Sequence, residues 1–129
     1  MNPKQFLVIG GIVLLLVGVI GFFGIIGPTP EQSIFGDAWW FDNGENWAHT
    51  ILGVVALILA FAAPAMVQKW VVVLLGIIGV VIGIYSIFTS SFLGANLENP
   101  ADSILHLVIG IWALLAGFMG KGSKSSLPA

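Results

Sequence analysis

Residues 6–26 read FLVIGGIVLLLVGVIGFFGII, a run without a single charge. An α-helix rises about 1.5 Å per residue and the hydrocarbon core of a bilayer is about 30 Å thick, so about 20 apolar residues carry a helix across. This run meets that length, and three others in the chain do so too. Residues 47–66 hold His49 as their one titratable group, residues 70–88 carry no charge, and residues 101–120 hold Asp102 at their start and His106 one turn later. The expected fold is therefore all-α: a polytopic membrane protein with four transmembrane helices.

Composition agrees. Of 129 residues, 58% are hydrophobic and only 8% charged, against about 25% charged in a soluble domain, and the mean hydropathy is +1.07. A short chain exposes much of its surface and needs polar cover in water, so a soluble globule is excluded. Disorder, whose signature is low hydrophobicity and high charge, is excluded as well. Four basic residues at a net charge of -2 leave no patch to neutralise phosphates, which rules out a nucleic-acid partner. The absence of cysteine removes disulfides, thiolate metal sites and Cys nucleophiles.

Lys4 before the first run resembles the start of a signal peptide, but such peptides have apolar stretches of about 7–15 residues and a small-residue cleavage site. The run here is longer and leads into Gly27-Pro28-Thr29-Pro30, so a retained helix is expected. The prolines at 3, 28, 30, 64, 100 and 128 all fall at or near the proposed helix ends, where a missing N–H costs least. Lys4, Lys69, Lys121 and Lys124 fall on one side of the membrane, and Glu31, Asp37, Asp42, Glu45, Glu98 and Asp102 on the other. By the positive-inside rule both termini and the turn between the second and third spans are cytoplasmic. One membrane domain then covers 1–129, with outer loops at 28–45 and 89–100 and a cytoplasmic tail at 121–129. Trp39, Trp40, Trp47 and Trp70 sit near the proposed interfaces, as belt aromatics do.

The chain also resembles itself. A shift of 57 residues lays the second span on the fourth, so that Glu45 meets Asp102, His49 meets His106 and Gly53 meets Gly110, while a shift of 65 lays Gly11 on Gly76 and Gly18 on Gly83. Two tandem helical hairpins follow, related by a pseudo-twofold axis along the membrane normal. In the longer first loop, Thr29-Pro30-Glu31-Gln32 reads as a helix start, and Ile34, Phe35, Ala38 and Trp39 would share a face. That pattern predicts a short amphipathic helix on the outer leaflet.

Asn46-Trp47-Ala48-His49 opening the second span, with Ala101-Asp102-Ser103-Ile104-Leu105-His106-Leu107 opening the fourth, resembles a family of small four-helix prokaryotic integral membrane proteins catalogued as a domain of unknown function. The resemblance covers about residues 5–120, and its specific part is the paired His with a downstream Gly. It implies a membrane bundle in a prokaryotic plasma (inner) membrane and no established activity. The Trp39-Trp40-Phe41 loop departs from that pattern.

Glu45 with His49, and Asp102 with His106, stand four residues apart on one helix face, about 6 Å from each other. Three readings compete. Two His and two carboxylates at one depth suit a divalent first-row metal. Alternatively, Gly53 and Gly110, one turn below each histidine, would make room for a macrocycle, with His49 and His106 as axial ligands of a b-type haem or as holders of chlorophyll. No arginine exists to pair with haem propionates. The local reading takes Asp42-x-x-Glu45 and Asn99-x-x-Asp102 as a cap followed by an acid that satisfies the first N–H groups, each His bonding its acid or a neighbouring helix. An ionisable residue inside a membrane helix is costly and keeps the functional readings open, a proton or ion path among them.

Gly18, Gly21 and Gly24 recur along the first span and Gly79-x-x-x-Gly83 marks the third. Such faces let helices approach closely, and they predict that the first and third spans meet through glycine. No phosphate-binding loop or nucleophile elbow is present, so no enzymatic activity is expected. The expectation is a non-catalytic accessory or structural subunit of a membrane complex, with partners in the bilayer, other subunits or itself, and Trp39, Trp40 and Trp47 as its outward contact surface. The alternative is a metal-, haem- or pigment-binding bundle using Glu45, His49, Asp102 and His106.

Overall fold

A computed structural model of the chain describes residues 1–120. Four helices carry the fold: α1 (Pro3–Phe22), α2 (Asn43–Ala62), α3 (Ala65–Phe88) and α4 (Ala101–Met119). Each is long and apolar enough to cross a membrane. A two-stranded antiparallel ribbon, β1 (Ser91–Phe92) with β2 (Ala95–Asn96), sits between α3 and α4. The cytoplasmic tail expected at 121–129, with Lys121 and Lys124, lies outside the described residues.

Local chemistry sets the helix ends. Asn2 opens α1 with a capping box: its Oδ1 accepts from the Gln5 N–H at 2.9 Å, and the Gln5 side chain accepts from the Asn2 N–H at 3.0 Å. Both bonds satisfy donors that a helix start otherwise leaves free. The helix stops at Phe22, short of the expected Ile26, because Gly24 turns into the left-handed region at φ 75°. The chain beyond it then pairs sideways, Ile34 N–H donating to Ile25 O at 2.8 Å and Phe41 N–H to Ile26 O at 2.7 Å. At the opposite end α3 begins at Ala65, five residues before the expected Trp70. Polar Gln68 does not end the helix; it folds back, its Nε2 donating to the carbonyls of Leu59, Ala60 and Ala63, and so satisfies the last turn of α2.

The amphipathic helix expected in the first loop does not form. Two single 3-10 turns stand there instead, Pro30–Gln32 and Gly36–Ala38. Thr29 caps nothing, since its hydroxyl donates to Gln32 Oε1 at 3.3 Å. The Ser33 hydroxyl donates to Trp39 O at 2.7 Å and accepts from the Phe35 N–H at 3.2 Å. Gly36 sits at φ 58°. Side chains that bond local backbone compete with the helical ladder, and a left-handed residue interrupts it.

The glycine seams also differ from expectation. α1 lies antiparallel along α2, and α3 along α4, with less contact between the two pairs. Gly11, Gly18 and Gly21 of α1 face α2, while Gly76, Gly79 and Gly83 of α3 face α4, so glycine does not join α1 to α3. Gly24, beyond the helix, faces open space. The closest approaches are matched: a Cβ on Gly53 would lie 2.6 Å from Leu15 N and 2.8 Å from Gly11 O, and one on Gly110 would lie 2.6 Å from Val80 N and 2.9 Å from Gly76 O. In lipid, where hydrophobic drive between helices is absent, such backbone proximity supplies the attraction. The apolar core joins the pairs at the end bearing the N-terminus, where Phe6, Leu7, Ala56, Ala60, Val72, Ala113 and Ala116 are buried. There Phe6 meets Trp112 edge to face at 4.7 Å.

Candidate functional site at the polar end of the bundle

The other end is built from polar side chains. Glu45, Asn46, Ser86, Asp102 and Ser103 are all buried there. Asp42 caps α2, its Oδ1 accepting from the Glu45 N–H at 2.8 Å, and its Oδ2 accepts from the Asn96 N–H of β2 at 2.7 Å. Asp102 does the converse: its Oδ2 accepts from the Glu98 N–H at 2.7 Å and its Oδ1 from the Trp39 indole N–H at 3.1 Å. Each of the two long loops thus donates to an acid at the head of the other helix pair. Bonds to a carboxylate are about twice as strong as neutral ones, so this exchange clasps the two pairs together at the end away from the main apolar cluster. Ser86 and Ser103 add a hydroxyl pair at 2.7 Å between α3 and α4.

The capping expectation is met by Asp42 and not by Glu45. The Glu45 carboxyl is 5% exposed, and neither of its oxygens has a hydrogen-bond partner among the described residues. Asn99 does not cap α4 either; Pro100 holds the cap position without a side-chain bond, and the Asn99 amide donates instead to Ile87 O at 3.4 Å. Pro100 takes the place a capping side chain would need, which leaves Asp102 to reach back to Glu98.

Both histidines bond the residue four before them through its backbone, not its carboxylate. His49 Nδ1 lies 2.7 Å from Glu45 O, and His106 Nδ1 lies 2.8 Å from Asp102 O. A carbonyl oxygen only accepts, so Nδ1 carries a proton in each ring and donates it to that carbonyl. His49 is further fixed by stacking on Phe41, centroids 4.8 Å apart and planes 3° from parallel.

Neither cofactor arrangement fits. Among the described residues no group of three or more His, Asp or Glu is placed to hold a metal ion. The space that Gly53 and Gly110 would lend a macrocycle is already filled by the backbones of α1 and α3. One cavity lies at the opposite end of the bundle and another is lined by Ser86, Leu97 and Asn99, and none of Glu45, His49, Asp102 or His106 lines either.

Glu98, in the loop before α4, has its carboxyl pushed up to about 7 by burial, with the neighbouring Asp102 carboxylate adding to the effect. Its Oε1 accepts from the Asn96 amide, and its Oε2 is buried without a partner. Trp39 is spent inside the chain, between Phe35 and Phe41 and on Asp102. Trp40 is half-buried, while Trp47 remains exposed and touches Phe22 edge to face at 5.2 Å. Sequence reasoning gave no site role to Asn46, Ser86, Asn96, Glu98 or Ser103. Ser86 and Ser103 carried a signal, as polar residues inside mostly apolar runs. Comparison of the chain with protein-family models, with curated proteins and with solved structures finds no match.

Proposed function

We propose that this chain is a small multi-pass protein of a prokaryotic plasma membrane, with both termini cytoplasmic, and that it serves as a non-catalytic accessory or structural subunit of a membrane complex. Its helix pairs are taken as tandem repeats, and its place in the small four-helix family of unknown function belongs to the same proposal. One observation carries the reading: the polar groups are turned on one another while the apolar ones are turned outward. Only 28% to 33% of the most apolar window of each helix is buried within the chain, which leaves broad surfaces for lipid or for neighbouring subunits. At the polar end, the clasp between Trp39, Asp102, Asp42 and Asn96 holds a loop that presents Ile34 at 73% and Phe35 at 51% exposure. Rigid apolar side chains on a fixed loop are the material of a contact surface.

Solubilisation in a mild detergent followed by native electrophoresis tests the proposal. The chain is expected to migrate within an assembly larger than its own 13.6 kDa, and an Ile34→Asp/Phe35→Asp variant is expected to leave that assembly. Recovery of free monomer alone from native membranes overturns the subunit reading.

A further inference from the structure

We propose that the basic end of the bundle binds the headgroup of an anionic phospholipid, in the cavity between the start of α1 and the turn joining α2 to α3. The inference rests on the membrane reading above and names a ligand for a site that reading leaves unused. The cavity measures about 190 Å³ and is lined by Pro3, Lys4, Ala65, Met66, Lys69 and Gly120, with Gln68 beside them. Both lysines are half-buried. No Asp or Glu side chain among the described residues faces them, because Glu31, Asp37, Asp42, Glu45, Glu98 and Asp102 all belong to the loops at the other end or to the first turns of α2 and α4.

The lysines are held by rings instead. Lys4 Nζ lies 5.4 Å from the centroid of Phe61, and Lys69 Nζ lies 5.5 Å from that of Trp70. A ring face steadies an ammonium without neutralising it, so the two lysines that line the cavity both keep their positive charge. The Gln68 amide that could compete for an anion is occupied by the carbonyls at the end of α2. At the rim, α3 starts on Pro64 with no side-chain cap, so the N–H groups of its first turn add donors of the same sign.

Size and surroundings select the source of the anion. Pockets for drug-sized molecules run to about 300–1,000 Å³, so this one suits a phosphate with a glycerol arm and not a whole soluble metabolite. Its walls continue onto exposed apolar surface at Phe61, Met66 and Trp70, where acyl chains can lie. Basic pockets between membrane helices on the cytoplasmic side are suited to anionic headgroups for this reason.

The test uses the full chain in a zwitterionic detergent, with binding read by native mass spectrometry and by thermal shift. The probes are phosphatidylglycerol, phosphatidylcholine of the same acyl chains, and inorganic phosphate. Phosphatidylglycerol is expected to stay bound and raise Tm, and the other two are not. Lys4→Gln/Lys69→Gln is expected to weaken phosphatidylglycerol binding about 30-fold, while Lys4→Arg/Lys69→Arg keeps it. Equal binding of phosphatidylcholine, or an equal shift with inorganic phosphate, overturns the proposal. So does a loss that follows Lys121→Gln/Lys124→Gln and spares the Lys4 and Lys69 variant. Should the glutamine variant fail to fold, the three probes on the native chain and the arginine variant still decide. Labelling of a cysteine placed ahead of α1 reports sidedness separately. Phosphatidylglycerol binding with that cysteine outside sinks the orientation and supports the site, and the reverse pattern sinks the site alone.

Discussion

Gly110→Ala is the sharpest probe of the fold, because its added methyl would point at backbone and not at a movable side chain. The Cβ would stand 2.6 Å from Val80 N, 2.9 Å from Gly76 O and 3.0 Å from Gly79 C. Ordinary contact begins at 3.4 Å, so α3 and α4 must part by 0.8 Å at this point. A radial gap of about 0.5–1 Å forfeits a quarter to a half of each dispersion well along the seam, and overpacking of this kind costs about 1–3 kcal/mol. Gly10→Ala is the matched control. Its Cβ would meet only the Phe6 ring, at 3.7 Å, so the substitution gains helix propensity of up to about 1 kcal/mol with no clash. Both substitutions gain the same propensity, so the two variants should differ by the overpacking cost, about 1–3 kcal/mol, roughly 5- to 150-fold in the unfolding equilibrium. Unfolding by sodium dodecyl sulfate in mixed micelles, followed by far-UV circular dichroism and by tryptophan fluorescence, reads that difference. Equal midpoints for Gly10→Ala and Gly110→Ala would refute close backbone packing as what holds α3 to α4.

Other expectations follow from the polar end. Trp39→Phe keeps the ring between Phe35 and Phe41 but removes the donor to Asp102. A lost hydrogen bond to a charged group costs about 1.5–3 kcal/mol, so the variant should unfold earlier in the same titration, and an unchanged midpoint would mean the clasp bears no load. Glu98 binds its proton more tightly in the folded chain, where its value is about 7 against an ordinary 4.5. Its contribution to stability is then complete below pH 4.5 and is lost as the pH rises through about 7. Glu98→Gln should abolish that decline in a pH series of melting temperatures, and persistence of the decline would assign it to another group. The purified chain is expected to show no Soret band and no stoichiometric metal by elemental analysis. Loss of either signal on His49→Ala would restore a ligand role for the paired histidines.

Helix number was legible because apolar runs of about 20 residues are long enough to form helices that could cross a bilayer. Gly53 and Gly110, each four residues after a histidine, stood out in the sequence too, but their role did not. A glycine removes bulk whether the space goes to a macrocycle or to a neighbouring helix, and only the positions of Leu15 and Val80 distinguish the two. The local reading of the acids erred in a related way. Asp42-x-x-Glu45 and Asn99-x-x-Asp102 look alike in sequence, yet Pro100 displaces Asn99 from the cap, and Glu45 leaves its carboxyl without a partner. The first loop misled because periodicity at Ile34, Phe35, Ala38 and Trp39 describes a face, while Ser33 and Gly36 decide whether the backbone can make one.

By itself the sequence determined what is local and additive: the count of spans, their approximate ends, and the separation of lysines from acids. Hydropathy sums along the chain, and so it survives without knowledge of neighbours. The tertiary structure decided which faces meet, that the glycines of α1 serve α2 and those of α3 serve α4, and that Trp39 reaches Asp102 across a separation of 63 residues. Those choices depend on approach distances between segments remote in the chain, where a few tenths of an ångström separate contact from clash, and periodicity carries no record of them.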